Sequence, residues 1–67
     1  MTQYELMDKI IEKLNEGGIY NALQLADLFN LSIQKVAITC GILVSLEKIE
    51  RIPINKVYYY CKKHLTI

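Results

Sequence analysis

The sequence predicts a mainly α-helical α+β domain: three helices with a small antiparallel sheet of two to three strands. Three observations predict it. Apolar residues recur at helical spacing in three separate stretches before residue 47. Each stretch opens on a residue suited to cap a helix, namely Thr2, Asn21 and Ser32. Beyond them the pattern changes to short extended runs on either side of one polar pair, Asn55-Lys56.

Thr2 and Glu5 have the spacing of a capping box, and Tyr4, Met7, Ile10, Ile11 and Leu14 then follow at helical intervals until Gly17 and Gly18 stop the helix. The first helix is therefore expected at about 3–16. Its other face, Glu5, Asp8, Lys9, Glu12, Lys13 and Glu16, mixes signs and reads as a solvated surface. Ile19 and Tyr20 make a short extended piece. Asn21 and Gln24 repeat the capping box, which places the second helix at about 22–29 through Leu25, Ala26, Leu28 and Phe29. Asn30 suits a left-handed helix end, Leu31 plugs the core at the turn, and Ser32 caps a third helix running from Ile33 to about Leu46. From Ile49 the chain is extended. Pro53 fits an edge strand or a bulge, and Asn55-Lys56 turns it back into Val57, Tyr58, Tyr59 and Tyr60, giving a hairpin over about 49–61. Residues 61–67, with Lys62, Lys63 and His64, form a tail expected either to pair briefly or to remain loose.

With 67 residues the chain makes one domain, and a domain of this size buries only roughly 60% of its unfolded surface. Apolar residues make up 52% and charged ones 22%, so the composition is globular, and no apolar run approaches the ~20 residues of a membrane span. The acidic N-terminal stretch lacks the basic region of a signal peptide, so a cytoplasmic location is expected. The two cysteines, Cys40 and Cys61, are expected as free thiols, Cys40 within an apolar helix face. Cys61 and His64 have C-x-x-H spacing, but a structural zinc site needs four ligands and no second pair exists. No metal or cofactor is expected.

The net charge of +1 hides an asymmetry. Residues 1–33 hold two lysines against five carboxylates, a balance of −3, whereas residues 34–67 hold six cations against two carboxylates, a balance of +4. Positive charge therefore gathers in the half containing the third helix and the hairpin, where phosphate contacts would fall.

The run from Ala22 to Ser32, ALQLADLFNLS, with Val36, Cys40 and Leu43 inward on the next helix and IER from Ile49 to Arg51 after it, resembles the winged helix-turn-helix superfamily of transcription regulators. The pairs Leu25-Ala26 and Leu31-Ser32 match that pattern well. Val44 departs at its usual acidic position and Glu47 at its usual glycine. In length and order the chain is similar to the short fimbrial-switch and ferrous-iron-transport regulators, in layout alone. The latter carry a cysteine cluster in the wing, and this hairpin has only Cys61 at its end.

The resemblance implies sequence-specific binding of double-stranded DNA in transcriptional control, by a homodimer whose third helix enters the major groove while the wing touches backbone or minor groove. With Val36, Cys40 and Leu43 inward, Gln34, Lys35, Ile38, Thr39, Ile42 and Ser45 are expected outward or sideways. Gln34 would read adenine, Lys35 pair with phosphate or guanine, and Ser32 and Thr39 donate to phosphate oxygens. Asn55 and Lys56 extend from the fold at the wing tip.

Ile38 and Ile42 complicate that surface. The segment VAITCGILV is apolar nearly all round, and such a helix is usually covered on more than one side. Ile38 would meet thymine methyls, or the helix would pack in a homodimer, or the face would bind another protein. The alternative function is thus a protein-interaction module using Ile38 and Ile42. Tyr58, Tyr59 and Tyr60 alternate across the strand and raise the same question. Catalysis is not expected: the chain has one histidine, no glycine-rich phosphate loop and too little length to enclose a substrate.

Overall fold

The computed structural model describes residues 1–63, which form three helices and one three-stranded sheet. In chain order these are α1 (Gln3–Asn15), β1 (Tyr20–Asn21), α2 (Ala22–Phe29), α3 (Ile33–Ser45), β2 (Ile49–Ile54) and β3 (Val57–Lys62). Every expected element is present, with boundaries within about one residue of those read from the sequence. Cys61 and Lys62, expected in the tail, belong to β3 and pair with Glu50 and Ile49; residues 64–67, His64 among them, lie outside the described residues.

Both capping boxes form. The Glu5 N–H donates to Thr2 Oγ1 at 3.1 Å and the Thr2 N–H donates to Glu5 Oε1 at 3.1 Å. At α2 the Gln24 N–H donates to Asn21 Oδ1 at 2.8 Å and the Asn21 N–H to Gln24 Oε1 at 2.9 Å. Each pair satisfies two backbone donors that a helix start leaves open. The hydrogen bonds from Thr2 also hold the Glu5 carboxyl below its usual range.

Between α2 and α3 the chain turns through 116°. Asn30 makes this possible by taking the left-handed conformation, φ 56° and ψ 50°, while the Leu31 N–H reaches back to the Ala26 carbonyl at 2.9 Å. Leu31 packs against the core, as expected of a plug at the turn. At the exit of α3, Glu47 stands where the winged-helix pattern usually has glycine, and it adopts the glycine-like conformation itself, with φ 58°. The Lys48 N–H then donates to the Leu43 carbonyl at 2.9 Å, so the departure in sequence leaves the helix end intact.

The sheet order is β1-β3-β2, antiparallel throughout. Asn55 and Lys56 both have positive φ, 50° and 67°, the signature of a type I′ turn whose twist matches the strands it joins. In such a two-residue loop the flanking pair, Ile54 and Val57, is hydrogen-bonded. Alternation then turns the Pro53 nitrogen to the open side of β2, an edge strand, where its missing N–H removes a donor from the exposed edge.

The core gathers Leu6, Ile10 and Leu14 of α1, Leu25 and Ala26 of α2, Val36, Cys40 and Leu43 of α3, Ile49 of β2 and Tyr60 of β3. The buried stripe of α1 is thus centred on Leu6, Ile10 and Leu14, with Met7 and Ile11 at its flank. Tyr4, expected on that stripe, is 80% exposed; it precedes Leu6 by two residues and so stands about 200° from it around the helix. Among the described residues no single helix is long and apolar enough to cross a membrane.

Candidate functional site

The residues singled out on α3 fall into two groups. Ser32 is the N-cap: its Oγ accepts the Lys35 N–H at 3.2 Å, and its own proton remains to be donated outward. Gln34, Lys35 and Ile38 are exposed, Ile38 by 62%. Ser45 is exposed at the far end and Ile42 half-buried beside it.

Thr39 corrects the expectation. Only 1% of it is exposed, and its hydroxyl donates back to the Lys35 carbonyl at 2.8 Å. The physical reason is spacing: Thr39 follows Val36 by three residues and precedes Leu43 by four, which puts it on the inward stripe, where the preceding turn of helix satisfies its hydroxyl. Thr39 therefore cannot donate to a phosphate on the outer face.

The hairpin tip is brought to α3. A groove of about 450 Å³ is lined by Asn21, Ala22 and Leu23 at the start of α2, Ala37 of α3, and Lys56, Val57, Tyr58 and Tyr60 of the hairpin. α3 thus borders this depression through Ala37 and the hairpin tip through Lys56, while Gln34, Lys35 and Ile38 stand outside its lining. Both turn residues, Asn55 and Lys56, are exposed.

One contact missed from sequence involves Tyr58 of this groove. The Arg51 guanidinium lies 4.5 Å from the centre of the Tyr58 ring, a stacked cation on an exposed aromatic. The hairpin register could have found the pair. Asn55-Lys56 as the turn places Arg51 opposite Tyr60, and Tyr58 two residues further along the same face. Tyr60 itself is buried, and desolvation raises its phenol above the usual range, with Cys40 adding to the shift and Arg51 opposing it.

Charge follows the same geography. α3 carries one charged side chain, Lys35, and no acidic one, while Lys48, Arg51 and Lys56 follow in the hairpin half. Glu50 is engaged by Lys63 at 3.9 Å.

Both cysteines are free, as expected from sequence; Cys40 is buried as its helix face implied, and Cys61 at the strand end is buried too. Burial pushes the Cys40 thiol up to about 12, and burial followed by the nearby Glu50 charge raises that of Cys61, so neither is an activated nucleophile. Among the described residues no group of three or more His, Cys, Asp or Glu side chains is placed to hold a metal ion; His64 of the C-x-x-H pair lies outside them. Compared with protein-family models, with curated proteins and with solved structures, the chain matches none.

Proposed function

We propose that the chain is a winged helix-turn-helix protein that binds double-stranded DNA in transcriptional control, as a homodimer reading two half-sites about one helical turn apart. The observation that carries this reading is the shared surface of α3 and the hairpin tip. The exposed first turns of α3 bear Gln34, Lys35 and Ile38, and Lys56 borders the same groove as Ala37. Supporting it, α2 and α3 meet at 116° across three residues, within the usual range of a DNA-reading helix pair.

In this arrangement α3, 13 residues and so about 20 Å long, enters the major groove, which is wide enough to admit a helix. Lys35 and Lys56 neutralise phosphates on either side, Ser32 donates to a phosphate oxygen at the helix start, Asn55 contacts backbone at the tip, and Gln34 faces base edges. With few cations, affinity per monomer is modest, and two copies on adjacent half-sites supply the rest.

The test is titration of purified protein into mixed-sequence duplex at several salt concentrations, with oligomeric state recorded in the same buffers. Binding should weaken with salt by a logarithmic slope of about −0.9 per neutralised phosphate, and Lys35→Ala should lower that slope by about one. A folded protein that binds no duplex at low salt refutes the reading.

A second reading, a protein-interaction module, is favoured by one observation: the third helix exposes Ile38 by 62% and leaves Ile42 half-buried. Under it Ile38→Asp abolishes association with the partner, and Lys35→Ala changes little.

A further inference from the structure

Gly41 lies within α3, where glycine costs about 1 kcal/mol relative to alanine. A Cβ built on it would meet nothing within 4 Å. Nothing inside the described chain therefore requires its bare backbone, and the gap opens outward beside Ile38.

The strip around it has a distinct make-up. Gln34 and Ile38 stand one turn apart on the exposed face, and Ala37 and Gly41 form a parallel row of small residues, both half-buried. A branched apolar side chain thus projects between an amide and a shelf of almost no side chain. Lys35 lies on the same helix and Lys56 borders the groove that Ala37 lines, and α3 has no carboxylate to answer them. A second copy set across the strip by a two-fold axis would bring two sets of lysines together on helices without acids. A polyanion resolves the same charge.

Resting on the DNA reading above, we infer that this strip selects A·T base pairs, with Ile38 packed on the thymine 5-methyl group and Gln34 hydrogen-bonded to the N6 and N7 edge of an adenine. Gly41 lets the helix settle deep enough for the isoleucine to reach the methyl. The chemistry is specific. A G·C pair offers no methyl to Ile38, and Gln34 is matched to adenine where arginine or lysine would be matched to guanine. An RNA duplex fails twice, because its major groove is too narrow for side chains to read and uracil lacks the methyl.

The experiment uses fluorescence anisotropy on an alternating dA-dT duplex about two helical turns long and on the same duplex with deoxyuridine for thymidine, which removes the 5-methyl and nothing else. Wild type should bind the thymidine duplex more tightly, by about fourfold for each methyl contacted. Ile38→Ala, an exposed position, should remain folded and bind the two duplexes equally. Gly41→Ala should melt at a higher temperature than wild type and yet bind the thymidine duplex more weakly, an opposition that a merely structural glycine would not produce. Equal wild-type affinity for the two duplexes, still falling with salt, overturns the inference and leaves the DNA reading standing. Binding to neither overturns both. A concentration-dependent dimer in the absence of DNA that Ile38→Ala dissociates assigns the strip to a second copy and overturns the inference as well.

Discussion

Replacing Lys56 by glycine is expected to stabilise the fold and, on the DNA-binding function proposed above, to weaken the complex with duplex at the same time. The stability gain follows from the turn. Lys56 has φ 67°, the left-handed region that costs a residue with a side chain about 1–2 kcal/mol, and glycine enters it without strain. Glycine also frees the unfolded chain, which offsets about 0.5–1 kcal/mol of that. The balance is a gain of roughly 0.5–1 kcal/mol, or about 2–8 °C in melting temperature for a domain of this length. The side chain is exposed and makes no hydrogen bond or ion pair among the described residues that would be lost. With glycine after Asn55, the turn would moreover hold the Asn-Gly pairing most favoured in type I′ geometry.

On that proposal the loss of binding follows from the groove that Lys56 shares with Ala37. Removing one phosphate contact should lower the logarithmic salt slope by about 0.9. Lys56→Gln separates the two effects, because it removes the charge and keeps the backbone strain: its slope should match that of Lys56→Gly, with a melting temperature near wild type. Thermal unfolding followed by circular dichroism, and anisotropy titrations across salt concentrations, read both arms. A Lys56→Gly protein less stable than wild type would refute the turn geometry. An unchanged slope in both variants would remove the hairpin tip from the interface.

Glu47 is strained in the same way at the exit of α3, with φ 58°, so Glu47→Gly should gain roughly 0.5–1 kcal/mol in urea unfolding whereas Glu47→Ala should not. Cys40 gives a pH dependence of definite sign. Its thiol is raised from 9.0 to about 12 in the fold, so its contribution is complete below about pH 9, where neither state ionises, and is lost as pH rises from 9 toward 12, where only the unfolded chain does. Between pH 8 and pH 10.5 wild type should therefore lose about 2 kcal/mol more than Cys40→Ala; parallel pH profiles would show the thiol to be solvated. Ile10, fully buried between the helices and the sheet, should cost about 2–5 kcal/mol as Ile10→Ala, enough to leave so small a domain largely unfolded at 37 °C, as measured by loss of helical signal.

The parts of this fold that are legible in the sequence are those whose cause is local. Thr2 with Glu5, Asn21 with Gln24, and Ser32 each close hydrogen bonds within three residues, so residue type and spacing determine them. Asn30 and Asn55 mark turns because asparagine is among the few residues that tolerate positive φ. Facing is less legible wherever apolar residues surround a helix. Val36, Cys40 and Leu43 define the inward stripe of α3, yet Thr39 lies on that stripe too, although its polarity points outward; its hydroxyl is satisfied on the Lys35 carbonyl and needs no solvent. On α1 an aromatic such as Tyr4 draws the eye to the wrong start of the stripe, whereas four-residue spacing from Ile10 and Leu14 singles out Leu6. The Arg51-Tyr58 stack requires the register of the hairpin, a non-local fact that the turn supplies once its type is known.

The exposed apolar side chains are not all alike. A chain of 67 residues has too little interior to hide every one, so exposed leucines and isoleucines would by themselves signify little. Ile38 differs from them by its company. It stands one turn from a glycine that weakens its own helix without any packing reason inside the described chain, and on a helix whose one charged side chain, Lys35, has no acid beside it on that helix. A core defect would explain the glycine and leave the charge unexplained, and a solvated basic face would explain the charge and leave the isoleucine. The ligand inferred above, a duplex polyanionic at its edges with thymine methyls in its major groove, would answer all three.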